Sequence, residues 1–108
     1  MNKWTIFLAG TFVAGAVATN AFGQTSAQPR DLQARSMAAS CSACHGTNGA
    51  AAPGMVALAG YPRSDMVKAM ADFKSGARPA TLMHQMSKGY SEAQIEAMAS
   101  YFAAQKKN

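Results

Sequence analysis

Cys41-Ser42-Ala43-Cys44-His45 constrains this chain more than any other stretch, because it sets two thiols three positions apart and follows them at once with an imidazole. That is the arrangement that binds a c-type haem: the two thiols add across the vinyl groups of the porphyrin, and the adjacent histidine falls under the iron. Two other readings share part of the pattern. A dithiol redox pair calls for alternating strands and helices, and no alternation appears here. A zinc site would want two more soft ligands than the Cys41 and Cys44 pair, and outside the motif the chain offers only His84. The motif therefore predicts one covalently bound haem c, with Cys41 and Cys44 as thioether anchors and His45 as proximal iron ligand.

The N-terminus points to the compartment where such attachment takes place. Lys3 precedes an apolar run from Trp4 to Val17, and small residues follow through Gly23. This is the layout of a secretory signal peptide, with cleavage after Ala21 or Gly23. The run is too short and glycine-rich for a span of about 20 residues. The expected organisation is a signal peptide over 1–23 and one domain over 24–108, exported to the periplasm, with no stable membrane insertion after cleavage. Without Lys3, nine basic and five acidic residues remain, a net of +4, and ionised haem propionates would lower it further. Only Lys106 and Lys107 cluster, so no basic stripe suited to nucleic acid is present.

The domain reads as all-α, a few short helices wrapped around one haem. A first helix is expected over 30–43, running into the motif, with Leu32, Ser36, Ala39 and Ala43 as a small-residue face that admits another helix. The stretch 46–60 reads as a loop, rich in glycine and carrying Pro53. Ser64 is the expected N-cap of a second helix, 65–75, which has Met66, Val67, Met70 and Phe73 on one face and ends at Gly76. A helical turn over 82–88 stops at Gly89. Ser91 and Gln94 form a capping box for a last helix from Glu92 to about Gln105, where Ile95, Met98, Ala99 and Phe102 recur on one face. The first and last helices should pack together, small residues against large.

The sixth iron ligand decides between carrying electrons and binding small molecules. A thioether opposite the imidazole fills the iron and raises its potential. Met66, Met70 and Met98 are explained by helix faces, and Met37 lies too close before the motif to reach round the haem. Met55, Met83 and Met86 remain, and spacing does not choose among them. His84 offers an alternative as a second histidine ligand. Arg63, Arg78 and Lys88 are candidate propionate partners, and Tyr90 and Tyr101 either line the haem edge or fill the core.

The segments Ala39 to Gly49, Leu58-Ala59-Gly60, Phe73 to Met83, Lys88-Gly89-Tyr90 and Ala99-Ser100-Tyr101-Phe102 resemble class I cytochromes c, in particular the haem domain of the cytochrome subunit of flavocytochrome c sulfide dehydrogenase. The resemblance implies a small class I cytochrome c fold. It also implies that the methionine of Arg78-Pro79-Ala80-Thr81-Leu82-Met83 is the distal iron ligand, so that Met83 is chosen and Met86 stands second. Members of that family often carry two haem domains, whereas this chain has a single attachment motif; it corresponds to a single-haem subunit or a free-standing relative. Some relatives place a proline just before the Leu-Ala-Gly segment, where this chain has Val56-Ala57. In class I cytochromes a backbone carbonyl of this loop accepts a hydrogen bond from the proximal imidazole, and the sequence does not say which. The implied partner is a periplasmic FAD-containing flavoprotein that oxidises sulfide or a related sulfur compound. On that reading the chain is not an enzyme by itself. Two alternatives stand beside it: a free diffusible carrier between other periplasmic oxidoreductases, and a haem enzyme with an open sixth site, for which no second reactive residue is evident.

Overall fold

A computed structural model describes residues 28–107, so the expected signal peptide lies outside the described residues. Four helices follow one another: α1 over Pro29–His45, α2 over Arg63–Ser75, α3 over Met83–Lys88 and α4 over Glu92–Ala103, with a 3-10 turn at Thr47–Gly49. Among the described residues there is no strand, and no helix is long and apolar enough to cross a membrane.

The core forms where α1, α2 and α4 meet. Ala38, Met66, Met70, Ile95, Met98, Ala99 and Phe102 make one buried cluster, with Phe102, Met98 and Ala99 fully enclosed. The α4 face is the one its spacing predicts. On α1 the expected face is corrected: Leu32, Ser36, Ala39 and Ala43 are exposed, while Ala34 and Ala38 are buried and Met37 and Cys41 pack against the core. Small residues occur all round this helix, so their spacing does not single out one face. The face is set by which alanines sit beside Met37 and Cys41, the larger apolar groups that gain from burial.

The helix ends follow local chemistry. α1 continues past Ala43 because nothing in the motif breaks a helix, and it stops at Gly46, the first residue with a positive φ (80°). α2 begins two residues before its expected start. Pro62, at φ −57° and ψ 131°, enters the helix and its carbonyl accepts from the N–H groups of Asp65 and Met66. Ser64 is not the N-cap: its hydroxyl donates to the Asp65 carboxylate at 3.3 Å. Gly76 closes α2 in the left-handed conformation, as expected. At α4 the capping box is complete: Gln94 N–H donates to Ser91 Oγ at 3.3 Å, and Ser91 N–H to Gln94 Oε1 at 2.8 Å.

Candidate functional site

The C-terminal turn of α1 delivers Cys41, Cys44 and His45 together to one side of the core. Cys41 is half-buried and Cys44 exposed, and both are free thiols. Burial raises the pKa of the Cys41 thiol above its usual value, with the Ser40 hydroxyl and backbone opposing the shift. A reactive dithiol is activated in the opposite way, at a helix N-terminus that favours thiolate; here the pair sits at a helix C-terminus, where the dipole disfavours it. Nor do three His, Cys, Asp or Glu side chains converge on one point among the described residues, as a zinc site would require.

The loop after α1 folds back on the histidine. Gly46 turns at φ 80°, and a Cβ there would lie 2.8 Å from the Ala51 carbonyl oxygen, so only glycine fits. Ala51 N–H donates to the His45 carbonyl, while Leu58 and Ala59 N–H both donate to the Gly49 carbonyl at 2.8 and 2.9 Å. Gly60 N–H then donates to the Phe102 carbonyl at 2.8 Å, which ties the loop to α4. Held this way, the Val56 carbonyl lies 2.7 Å from His45 Nδ1. A carbonyl only accepts, so Nδ1 carries a proton, and in the neutral ring the lone pair then lies on Nε2. The ring's orientation and basicity are thereby set for a metal at Nε2.

Two adjoining cavities of about 250 and 580 Å³ share His45, Met55, Val56, Phe73, Arg78 and Met83 in their walls and form two lobes of one crevice. The larger lobe also reaches Cys41, Cys44 and Met86. The smaller is backed by Met66 and Met70. Its size is in the ~300–1,000 Å³ range of cofactor pockets for the larger lobe alone. Two thiols, an imidazole with a free lone pair and a thioether, gathered around one apolar crevice, are the donor set that haem c requires, and the residues present fit that group.

The structure separates the three open methionines. Met83, the first residue of α3, faces both lobes, whereas Met86 faces only the larger and is exposed. Met55 also borders both, but it adjoins Val56, whose carbonyl holds the Nδ1 edge of His45, and so belongs to the histidine's wall. His84 borders neither lobe, and its Nδ1 is buried without a hydrogen-bond partner.

Of the candidate propionate partners, Arg78 alone lines the crevice, its guanidinium 4.9 Å from the centre of the Phe73 ring. Arg63 is engaged elsewhere, paired with Glu96 and donating from Nε to Ser100 Oγ at 3.1 Å. Lys88 borders neither lobe. The two tyrosines do not line the crevice either: Tyr101 donates to Asn48 Oδ1 at 2.9 Å, and Tyr90 lies 2.6 Å from Ser40 Oγ. No motif announces these pairings or the role of the Val56 carbonyl. One is a backbone group, and the others join residues about fifty positions apart.

The cytochrome c family profile matches residues 33–106, from the middle of α1 to beyond α4. The chain belongs to the cytochrome c family. Membership makes it an electron carrier and implies covalently bound haem c. This cytochrome is 36% identical over 63 residues to the cytochrome subunit of sulfide dehydrogenase from Chlorobaculum tepidum, covering 58% of this chain and 57% of the relative. It is 41% identical over 68 residues to the thiosulfate dehydrogenase electron acceptor of Thiomonas intermedia, covering 61% and 31%. It is 39% identical over 70 residues to cytochrome c4 of Pseudomonas aeruginosa, covering 64% and 35%. The cytochrome thus spans little more than half of the first relative and about a third of the other two.

Proposed function

We propose that this cytochrome is an exported, single-haem carrier that accepts electrons from a periplasmic, FAD-containing, sulfide-oxidising flavoprotein, with Cys41 and Cys44 as haem anchors, His45 as proximal ligand and Met83 as distal ligand. One observation carries the ligand assignment: His45, locked by its Nδ1 bond to the Val56 carbonyl, and Met83 border the same two lobes of one crevice. The bound haem supplies one-electron exchange between ferric and ferrous iron.

The polypeptide's part is orientation and exclusion of water. The Val56 carbonyl holds the imidazole and increases its donor strength. Met83 would supply a thioether to the iron and so favour its reduced state, which disfavours the open-site enzyme reading. Met66, Met70 and Phe73 keep the inner end of the crevice apolar, and Arg78 supplies a cation for a propionate. At the mouth, Met55, Val56, Leu82 and Met86 are exposed and uncharged. An apolar rim of that kind suits a partner that stays docked. The name of the Chlorobaculum relative supports a sulfide-oxidising donor. The Thiomonas and Pseudomonas relatives support a second reading, a diffusible carrier serving other periplasmic oxidoreductases. Export to the periplasm rests on the Trp4–Val17 run and the small residues after it.

A ferric haem with methionine ligation absorbs weakly in the far red through sulfur-to-iron charge transfer. That band should vanish in Met83→Ala and persist in Met86→Ala; the reverse pattern overturns the assignment. A docked subunit should co-purify with a flavin-bearing chain through a high-salt wash, whereas a free carrier should emerge alone and bind its partners only at low ionic strength.

A further inference from the structure

Beside the crevice, whose larger lobe Ser40 borders, hydrogen bonds from three elements converge on Tyr90, two residues past the end of α3. Ser40 Oγ donates its one proton to the Met37 carbonyl at 2.8 Å, so the Tyr90 hydroxyl, 2.6 Å away, must donate to Ser40. Lys74, in the last turn of α2, donates from Nζ to the Tyr90 carbonyl at 2.7 Å. Tyr90 N–H reaches back to the Ser87 carbonyl of α3 at 3.4 Å, and the next residue, Ser91, caps α4.

The consequence lies in what each partner carries. Ser40 is the residue before Cys41, and Met83 opens α3. α3 has six residues, far fewer than the roughly 12–15 at which an isolated helix becomes even marginally stable, so its place depends on its anchors. We propose that the Tyr90–Ser40 hydrogen bond is a positioning contact that holds α3, and with it the Met83 sulfur, at a fixed place relative to the haem-attachment turn. This rests on Met83 being the distal ligand. Tyr90 and Ser40 act through α3 and α1 and do not themselves touch the iron.

The test compares Tyr90→Phe and Ser40→Ala with Tyr101→Phe in the haem-loaded protein. All three lose one hydroxyl hydrogen bond between distant segments, but Tyr101 binds Asn48 on the histidine side of the site. Imidazole titrated into the ferric protein competes with Met83 for iron, and the far-red band reports the exchange. Tyr90→Phe and Ser40→Ala should each tighten imidazole binding by roughly five-fold, as loss of one net hydrogen bond predicts. The double variant should do no more than either single, because both remove the same contact. Tyr101→Phe should lower the unfolding midpoint yet leave imidazole affinity unchanged. Equal imidazole affinity in Tyr90→Phe and the parent, additive effects in the double variant, or the same shift in Tyr101→Phe would each overturn the positioning role while leaving Met83 ligation intact. A parent without the far-red band would overturn both.

Discussion

The two walls of the crevice are built by different means. On the histidine side, His45 ends a 17-residue helix, and the loop behind it is stitched by backbone hydrogen bonds to Gly49, to His45 itself and to Phe102 of α4. Phe102 is fully buried, so this wall is an extension of the core. On the methionine side, a six-residue helix follows an exposed loop, 77–82, and is fastened through Tyr90, whose hydroxyl donates to Ser40 Oγ and whose carbonyl accepts from Lys74 Nζ. Local opening begins where buried apolar contacts are few and hydrogen bonds are open to solvent. The imidazole should therefore stay fixed through the redox cycle, and any exchange of iron ligand should start at Met83.

The most severe way to break this contrast is to attack the histidine wall at its root. Phe102→Ala should cost about 3–5 kcal/mol, the usual range for truncating a fully buried phenylalanine. It also removes a ring that lies 2.9 Å from where a Cβ on Gly49 would sit. Gly49→Ala attacks the same place from the other side, adding that Cβ at φ 76°, where it would meet Leu58, Ala59 and Phe102. Overpacking of this kind costs roughly 1–3 kcal/mol, and the positive φ adds to it. Denaturant unfolding of the haem-loaded proteins checks both. If either variant unfolds like the parent, the loop is not part of the core.

Next in size is loss of the proposed distal ligand. Met83→Ala should lower the reduction potential and abolish the far-red band, while global unfolding changes less than in Phe102→Ala, because Met83 is only partly buried and Phe102 is fully enclosed. Potentiometry and unfolding on the same samples separate the two quantities. A variant whose unfolding falls as far as that of Phe102→Ala would show that the methionine wall is as integral as the other.

The ease with which each wall can be read from sequence follows the same division. The attachment turn and the buried face of α4 are legible because their information is in side-chain type and spacing: Cys41, Cys44 and His45 at fixed offsets, and Ile95, Met98, Ala99 and Phe102 on one helical stripe. The Val56 carbonyl is invisible, since every residue of the loop has a carbonyl and only the fold-back at Gly46 and Gly49 selects one. The packing face of α1 is misread because alanine and serine surround it on all sides, and Ser64 is misread because Pro62 enters the helix first. Met83 is reached by resemblance; its spacing fits no better than that of Met86, and placement on both lobes of the crevice is a property of the folded chain.

A smaller effect belongs to the junction between the walls. Ser91 caps α4 immediately after Tyr90, and Ser91→Ala removes the acceptor for Gln94 N–H. The expected cost is about 1 kcal/mol. Because the cap adjoins the Tyr90 anchor, fraying there should also ease displacement of Met83 by imidazole, by less than Tyr90→Phe does. An unchanged unfolding midpoint would mean that the cap contributes nothing to α4.

The smallest effect should come from the ion pair between Arg63 at the start of α2 and Glu96 on α4, both more than two-fifths exposed. Charges this open to water are solvated almost as well apart as together, and holding two long side chains in place opposes the attraction. Glu96→Gln should therefore shift stability by no more than about 1 kcal/mol, and the shift should shrink as salt is raised. Arg63 keeps its bond to Ser100 in that variant, so the seam between α2 and α4 stays closed. The seam matters because α2 supplies Lys74, one of the two anchors of Tyr90. A loss well beyond 1 kcal/mol, accompanied by easier imidazole binding, would mean that the methionine wall is secured through α2 and α4 rather than through Ser40, and the contrast between the two walls would have to be redrawn.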